Sequence, residues 1–264
     1  MRYNIFKQPG FYALLALVVF STSCEKELAK PTIDPKPLAY VAVHNFALLA
    51  GTTSQVFVEN SRLALGGSNV ALAVGGSLLG NYIGVNPGQV TVGLRTATGT
   101  SNYATRTVRV TPTSNTSFFA YDTLTTGGSA KLLVLNNAMR PADTATSNIR
   151  FLHLSPNAGP VNVVLTRTLN QFGLAATGTI TLSNVPYIGA SATPNETALS
   201  AFTNIPAGTY SVSVLSGTTT VLSIAALTLR ETKNYSIVAR GFAPSRPAIP
   251  TGQTLGASLI LHNP

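Results

Sequence analysis

Three histidines, eight acids and one cysteine are the side chains of this 264-residue chain best suited to chemistry near neutral pH. His44 and His153 each close a short aliphatic run, so they read as equivalent positions in separate repeats rather than as one metal pair. His262 and His153 fall in what read as the last and first strands of the second repeat. A structural zinc wants four ligands, and no carboxylate stands at a helpful spacing. The expectation is no metal and no cofactor, with each ring packing and hydrogen-bonding locally.

The acids are Glu25, Glu27, Asp34, Glu59, Asp122, Asp143, Glu196 and Glu231. A glycosidase needs two carboxyls about 5 to 9 Å apart on a cleft, and this spacing suggests no pair. There is no nucleophile elbow, P-loop or dinucleotide fingerprint. Gly66-Gly67-Ser68 and Gly75-Gly76-Ser77 read as turns, because no lysine or helix follows them to hold a phosphate. The chain is therefore expected not to be an enzyme.

Composition narrows the class further. Hydrophobic residues make up 45% and charged residues only 9%, so Ser, Thr, Asn and Gln must carry solubility. Such a chain is not a disordered polyelectrolyte. One cysteine excludes an internal disulfide framework. The net charge of +9 is spread singly over arginines such as Arg62, Arg106, Arg150, Arg167 and Arg240, without the cluster that nucleic-acid binding requires. No nucleic-acid partner is expected.

The single cysteine has a suggestive place. Arg2 and Lys7 precede an apolar run from Phe11 to Phe20, then Ser21-Thr22-Ser23 and Cys24. A membrane span needs about 20 apolar residues, so ten make a signal-peptide core. The segment resembles a bacterial lipobox of the Bacteroidetes type, with Ser21 where leucine is usual. That resemblance implies lipidation (diacylglycerol and palmitate) at Cys24, a membrane partner through this anchor, and an outer-membrane lipoprotein of the cell envelope. Lys30 to Pro37 carries three prolines and favours extended polyproline II, a stalk of up to roughly 40 Å from Cys24.

From Tyr40 onward the pattern is that of strands. Gln55–Val58, Gln89–Leu94, Thr107–Val110, Tyr210–Val214 and Ala226–Leu229 alternate with period two, and no segment sustains a helical period. Tyr40–Asn45 reads like Asn148–Leu154, Tyr82–Val92 like Phe202–Val212, Thr116–Ala120 like Asn234–Ala239, and Leu133–Asn137 like Leu259–Asn263. Their order is kept, with insertions in the second copy around Leu169 to Ala198 and after Gly241. The expected architecture is all-β: two tandem immunoglobulin-like antiparallel β-sandwich domains after a signal peptide and Pro-rich linker. The parts are a signal peptide over 1–23, a tether over 24–37, and sandwiches over 38–141 and 147–264.

Ile149–Val163 (IRFLHLSPNAGPVNV) resembles the opening signature of a family catalogued as a domain of unknown function, DUF4397, and Ile205–Val212 is similar to its second signature. The resemblance implies an envelope β-sandwich, often in tandem, without an established activity. Asn157 and Asn162 stand where that family often has acids. Asp122-Thr123-Leu124 and Asp143-Thr144-Ala145 are similar to the O-glycosylation motif of Bacteroidetes-type secreted proteins, which makes Thr123 and Thr144 candidate acceptors. Tyr103 and Tyr187, in Gly/Ser/Asn-rich and Pro-flanked surroundings, are the candidate exposed rings for ligand contact. The functional expectation is a lipid-anchored, non-catalytic binding or structural module, the alternative a polysaccharide-binding accessory lipoprotein. Its partners are cell-surface glycans or envelope proteins. The oligomeric state is left open.

Overall fold

The structure is a computed structural model that describes residues 37–48, 53–78, 82–124, 130–137 and 144–262. The leader, Cys24, the tether up to Lys36, and Asp143 lie outside the described residues. Residues 37–264 form one compact unit.

The first half contains β1 (Ala39–Asn45), β2 (Thr53–Val58), β3 (Ser61–Arg62), β4 (Ala64–Leu65), β5 (Ser68–Asn69) and β6 (Ala71–Ala73). It continues with β7 (Gly76–Ser77), β8 (Ile83–Val85), β9 (Gly88–Thr96), β10 (Ala104–Val110), β11 (Asn115–Tyr121) and β12 (Lys131–Asn136). The second half has β13 (Thr146–His153), β14 (Val161–Asn170), β15 (Thr179–Val185) and a 3-10 turn at Ile188–Ala190. Helix α1 (Glu196–Ser200), β16 (Thr203–Pro206), β17 (Gly208–Ser216), β18 (Thr219–Leu229), β19 (Asn234–Arg240) and β20 (Gly256–Leu261) complete it. The all-β expectation holds.

Each half pairs an outer sheet with an inner one. The outer sheets run β10-β9-β2-β3, with β6 also on β2, and β15-β14-β17-β18. The inner sheets run β12-β11-β1-β7, with β8 also on β1, and β16-β13-β19-β20. The outer strands alternate as the sequence predicts. Val90, Val92 and Leu94 of β9 enter the first core; Tyr210, Val212 and Val214 of β17 enter the second. Period two puts one face in the core and the other in solvent. Gly208 starts β17 at φ 153°, and a Cβ there would collide with the Leu169 carbonyl oxygen, so the Pro-Ala-Gly turn requires its glycine.

The sheets are not antiparallel throughout. β1 pairs with β11 in parallel, and β13 with β19 in parallel. In each half the chain leaves its first inner strand, builds the outer sheet, and returns to the inner sheet running the same way. The hydrogen bonds of the two returns match. Tyr40 N–H donates to Ser114 O as Asn148 N–H does to Lys233 O, and Asn137 N–H donates to Asn115 O as His262 N–H does to Asn234 O.

This register corrects the histidine correspondence. Tyr40 lies opposite Asn115 and Asn148 opposite Asn234, so His44 corresponds to Leu152, and Asn45 corresponds to His153. Residue type misled by one position. Asn45 and His153 play the same part at the end of their strands. The Asn45 Oδ1 accepts from Ala47 N–H at 3.2 Å and the His153 Nδ1 from Ser155 N–H at 3.4 Å.

The inner sheets are buried on both faces. All seven residues of β11 are buried. Phe118 and Ala120 point into the first sandwich, while Phe119 and Tyr121 join a third core with Phe46, Leu133 and Leu135. Leu152, Leu154, Val238 and Ile260 enter that third core from the second half. The halves thus pack inner sheet on inner sheet, four layers in all. Two buried faces explain the unbroken runs Phe118–Tyr121 and Ile237–Ala239, where alternation disappears.

The second-half insertion supplies a clamp. Asn195 caps α1 by accepting from Ala198 N–H at 3.0 Å. Glu196 Oε1 then accepts from Val134 N–H at 2.9 Å, and Ser200 Oγ accepts from Asn136 N–H at 3.0 Å. These are outward-facing donors of β12, the edge of its sheet, so α1 covers that edge. Glu196 also meets Arg106 at 3.0 Å. Glu196→Ala is expected to cost about 1–2 kcal/mol by leaving the Val134 N–H without its acceptor. Glu196→Gln, which keeps an acceptor and loses only a half-exposed ion pair, should cost less than about 1 kcal/mol. Urea unfolding of both variants checks the order.

Candidate functional site

The sequence-derived candidates do not converge. Tyr103 is buried, with its hydroxyl donating to Ser54 Oγ at 2.8 Å, and burial pushes its phenol up to about 12. The expectation of an exposed Tyr103 ring is overturned: its Gly/Ser/Asn-rich flank belongs to the turn before β10, while the ring packs into the first core. Thr144 is exposed in a turn, but Thr123 is half-buried and bridges Leu48. Cys24 lies outside the described residues.

Tyr187 is half-buried and does line a pocket. Burial, and then the nearby Asp122 carboxylate, hold its phenol protonated far above the usual range. The pocket, of about 540 Å³, is formed by Phe151, Pro186, Tyr187, Pro194, Asn195 and Leu199 among others. His153 borders it with both ring nitrogens engaged, Nε2 lying 3.0 Å from the Gly159 carbonyl. From the first half, Lys131 fixes the pocket's loop: its Nζ donates to Gly189 O at 3.1 Å and pairs with Asp122 at 3.0 Å.

The densest polar constellation sits between the halves, on Arg150. It is only 4% exposed, yet among the described residues no carboxylate is bonded to it. Nε donates to Ser236 Oγ at 2.6 Å, and the guanidinium reaches Asn137 Oδ1 at 2.6 Å and Asn136 O at 3.4 Å across the interface. The plane lies over Phe202, 4.6 Å from the ring centre. Asn137 Nδ2 donates onward to Tyr82 Oη at 2.7 Å and to Ser117 Oγ at 2.9 Å. Desolvation brings Arg150 down to about 9, so it stays cationic at neutral pH.

His262 closes the circuit. Its Nε2 lies 3.3 Å from the guanidinium and 2.7 Å from Ser236 Oγ, and its Nδ1 is 3.0 Å from Tyr82 Oη. A cation facing Nε2 requires a bare lone pair there, so the ring is neutral with its proton on Nδ1, donated to tyrosine. His44, stacked on Phe119 at 4.6 Å, approaches His262 edge-on at 6.4 Å. Burial, and then the charge of Arg150, lower His44 to about 3 and His262 well below its usual value. Among the described residues no group of three or more His, Cys, Asp or Glu is placed to hold a metal.

The DUF4397 domain, a domain of unknown function, is found at residues 39–164. That match runs from β1 into β14 and so crosses from the first half into the second. No curated protein matches the chain in sequence. Among solved structures, the chain is similar to a proposed cell adhesion protein from Bacteroides ovatus ATCC 8483. Identity is 12%, covering 86% of this chain and 98% of that one, with a TM-score of 0.25. It is also similar to a structure of alpha-glucan recognition by family 41 carbohydrate-binding modules from streptococcal virulence factors. There identity is 12% and coverage 83% and 96%, with a TM-score of 0.23.

Sequence reasoning missed the Arg150–Asn137–Tyr82–His262 circuit of this DUF4397-containing chain. The only available signal was an arginine inside an apolar strand, Ile149-Arg150-Phe151, since a charge at a core position demands partners.

The circuit predicts a pH dependence. His44 and His262 have folded pKa values below the unfolded value near 6.5, so the unfolded chain binds more protons at acidic pH. Their contribution is complete above about pH 6.5 and is lost as pH falls below that, for His44 down to about 3, with a slope of up to roughly 1.4 kcal/mol per pH unit for each ring. His44→Gln should flatten the pH dependence of the urea midpoint between pH 6.5 and 4.5; an unchanged slope contradicts the assignment.

Proposed function

We propose that this chain is a lipid-anchored component of the cell envelope, an outer-membrane lipoprotein in which two copies of one β module act as a non-catalytic binding or structural element. The observation that carries the non-catalytic reading is the Arg150 circuit. His262 and the buried cation are bonded to each other and, through Tyr82 and Asn137, to the other half. His44 packs against His262, and His153 has both ring nitrogens engaged locally. What they produce is rigidity. The anchor is supported by the leader, the small residues before Cys24, and the proline-rich stretch that follows. Lipid chains contribute about 0.8 kcal/mol per buried CH₂, and two or more together make a stable membrane attachment.

Metabolic labelling with radioactive palmitate tests the anchor. The native chain should take up label and sediment with membranes, and Cys24→Ala should do neither. Absence of label in the native chain refutes the anchored reading.

The pocket around Tyr187 favours a second reading, glycan binding. Phe151, Tyr187 and two prolines give it apolar faces for sugar C–H groups, with Ser191, Thr193 and Asn195 as polar neighbours. On a glycan array, the chain lacking residues 1–24 should then bind a restricted set of polysaccharides. Tyr187→Ala should lose about tenfold or more in affinity for them, the size expected when an aromatic anchor is removed. Signal unaffected by Tyr187→Ala excludes this pocket.

A further inference from the structure

The two halves differ at one pair of corresponding edges. β12 ends the first inner sheet and β20 the second, and register makes them counterparts, with Asn136 matching Leu261 and Val134 matching Leu259. On β12 the outward N–H groups of Val134 and Asn136 are covered by Glu196 and Ser200 of α1. β20 has no such cover among the described residues. His262 N–H donates to Asn234 O, which fixes Ile260 and Ser258 as the residues facing β19 and turns the N–H and C=O of Leu259, Leu261 and Ala257 outward.

That edge opens on a cleft of about 630 Å³. Ser258 to His262 form one wall, and Gly75 to Leu78 with Tyr82 form the other. Leu259 is 42% exposed. Beside two of the cleft's residues, Arg240 packs over Gly75 while its Nε donates to Ser258 Oγ at 2.8 Å. Its terminal nitrogens carry no hydrogen bond or ion pair among the described residues. Among the described residues, none lining the cleft is acidic.

The geometry points to a strand-addition site at β20, whose occupant is an extended segment of another protein carrying a carboxylate at the Arg240 end. Such a segment pairs its backbone with Leu259 and Leu261, as edge strands do when they accept an added strand. At a rise of about 3.3 Å per residue, roughly four or five residues span Ala257 to Leu261. Charge decides against a second copy of this chain, which is itself +9. The site is independent of the lipid anchor and of the pocket at Tyr187.

The test uses the full chain in detergent micelles and a synthetic acetyl-Val-Thr-Val-Thr-Val-Asp amide. Binding should slow hydrogen exchange of the Leu259 and Leu261 amides by about tenfold or more, and leave the already paired Ile260 amide unchanged. Replacing the peptide's aspartate by lysine should weaken binding about tenfold, a change of about 1.4 kcal/mol. A peptide N-methylated on the pairing edge should not bind. Leu259→Pro removes only an outward donor and is tolerated on an edge, so it should stay folded by circular dichroism and abolish binding. The site is refuted by no binding at millimolar peptide, by binding that survives Leu259→Pro, or by exchange slowed without alternation. Protection of the same amides in concentrated protein without peptide would make a second copy the occupant and overturn the assignment of the partner.

Discussion

A guanidinium buried with no carboxylate partner among the described residues governs how the two halves meet. Removing a cation from water costs several kcal/mol, and Arg150 recovers this only through neutral acceptors and ring faces. Those partners come from both halves: Ser236 and Phe202 from the second, Asn137 Oδ1 and Asn136 O from the first. If the halves separated, the guanidinium would keep its charge and lose Asn137 Oδ1, one of its two acceptors at 2.6 Å. The interface therefore has one register in which Arg150 is satisfied, while the surrounding third core supplies apolar area that alone would tolerate sliding.

The same position shows how similar strand schemes diverge. In the first half the counterpart of Arg150 is Ala42, and the counterpart of His262 is Asn137. Ser117 and Ser236 correspond, and each bonds its own partner, Asn137 at 2.9 Å and His262 at 2.7 Å. Two serine-centred pairs thus lie near a pseudo-symmetric interface, and a single arginine from one side breaks the symmetry. His44 and His262 are neutral first because they are buried, and then because Arg150 beside them is charged.

The outer strands were legible in the sequence because only one face of each is buried. Val90-Thr91-Val92 and Tyr210-Ser211-Val212 announce that alternation directly. The inner strands were legible as strands but not as an interface: Phe118–Tyr121 reads apolar throughout, and its two cores cannot be told apart without the partner sheet. The cluster around Arg150 draws on β1, β11, β12, β13, β19 and the residue after β20, so sequence distance carried no information about it. Tyr103 shows the opposite error. Local composition marked its turn as a surface feature, but a side chain next to a turn can point inward, and its hydroxyl found Ser54 there. The one-residue slip between His44 and His153 has a similar origin, because a side-chain match is weaker than a ladder of backbone hydrogen bonds.

Unequal treatment of the two inner edges follows from where the insertion lies. Only the second half has the extra chain between β15 and β16 that forms the 3-10 turn and α1, and it reaches across to cover β12 of the first half. In the first half the matching connection, between β6 and β8, is short and forms β7 on its own sheet. Among the described residues, no backbone or side-chain group of that connection hydrogen-bonds the outward edge of β20. An uncapped edge would normally invite aggregation, yet β20 is only six residues long and is flanked by Arg240 and the wall of Gly75 to Leu78. Those features restrict access to a narrow extended chain, so one edge is closed for stability while the other is left selectively open.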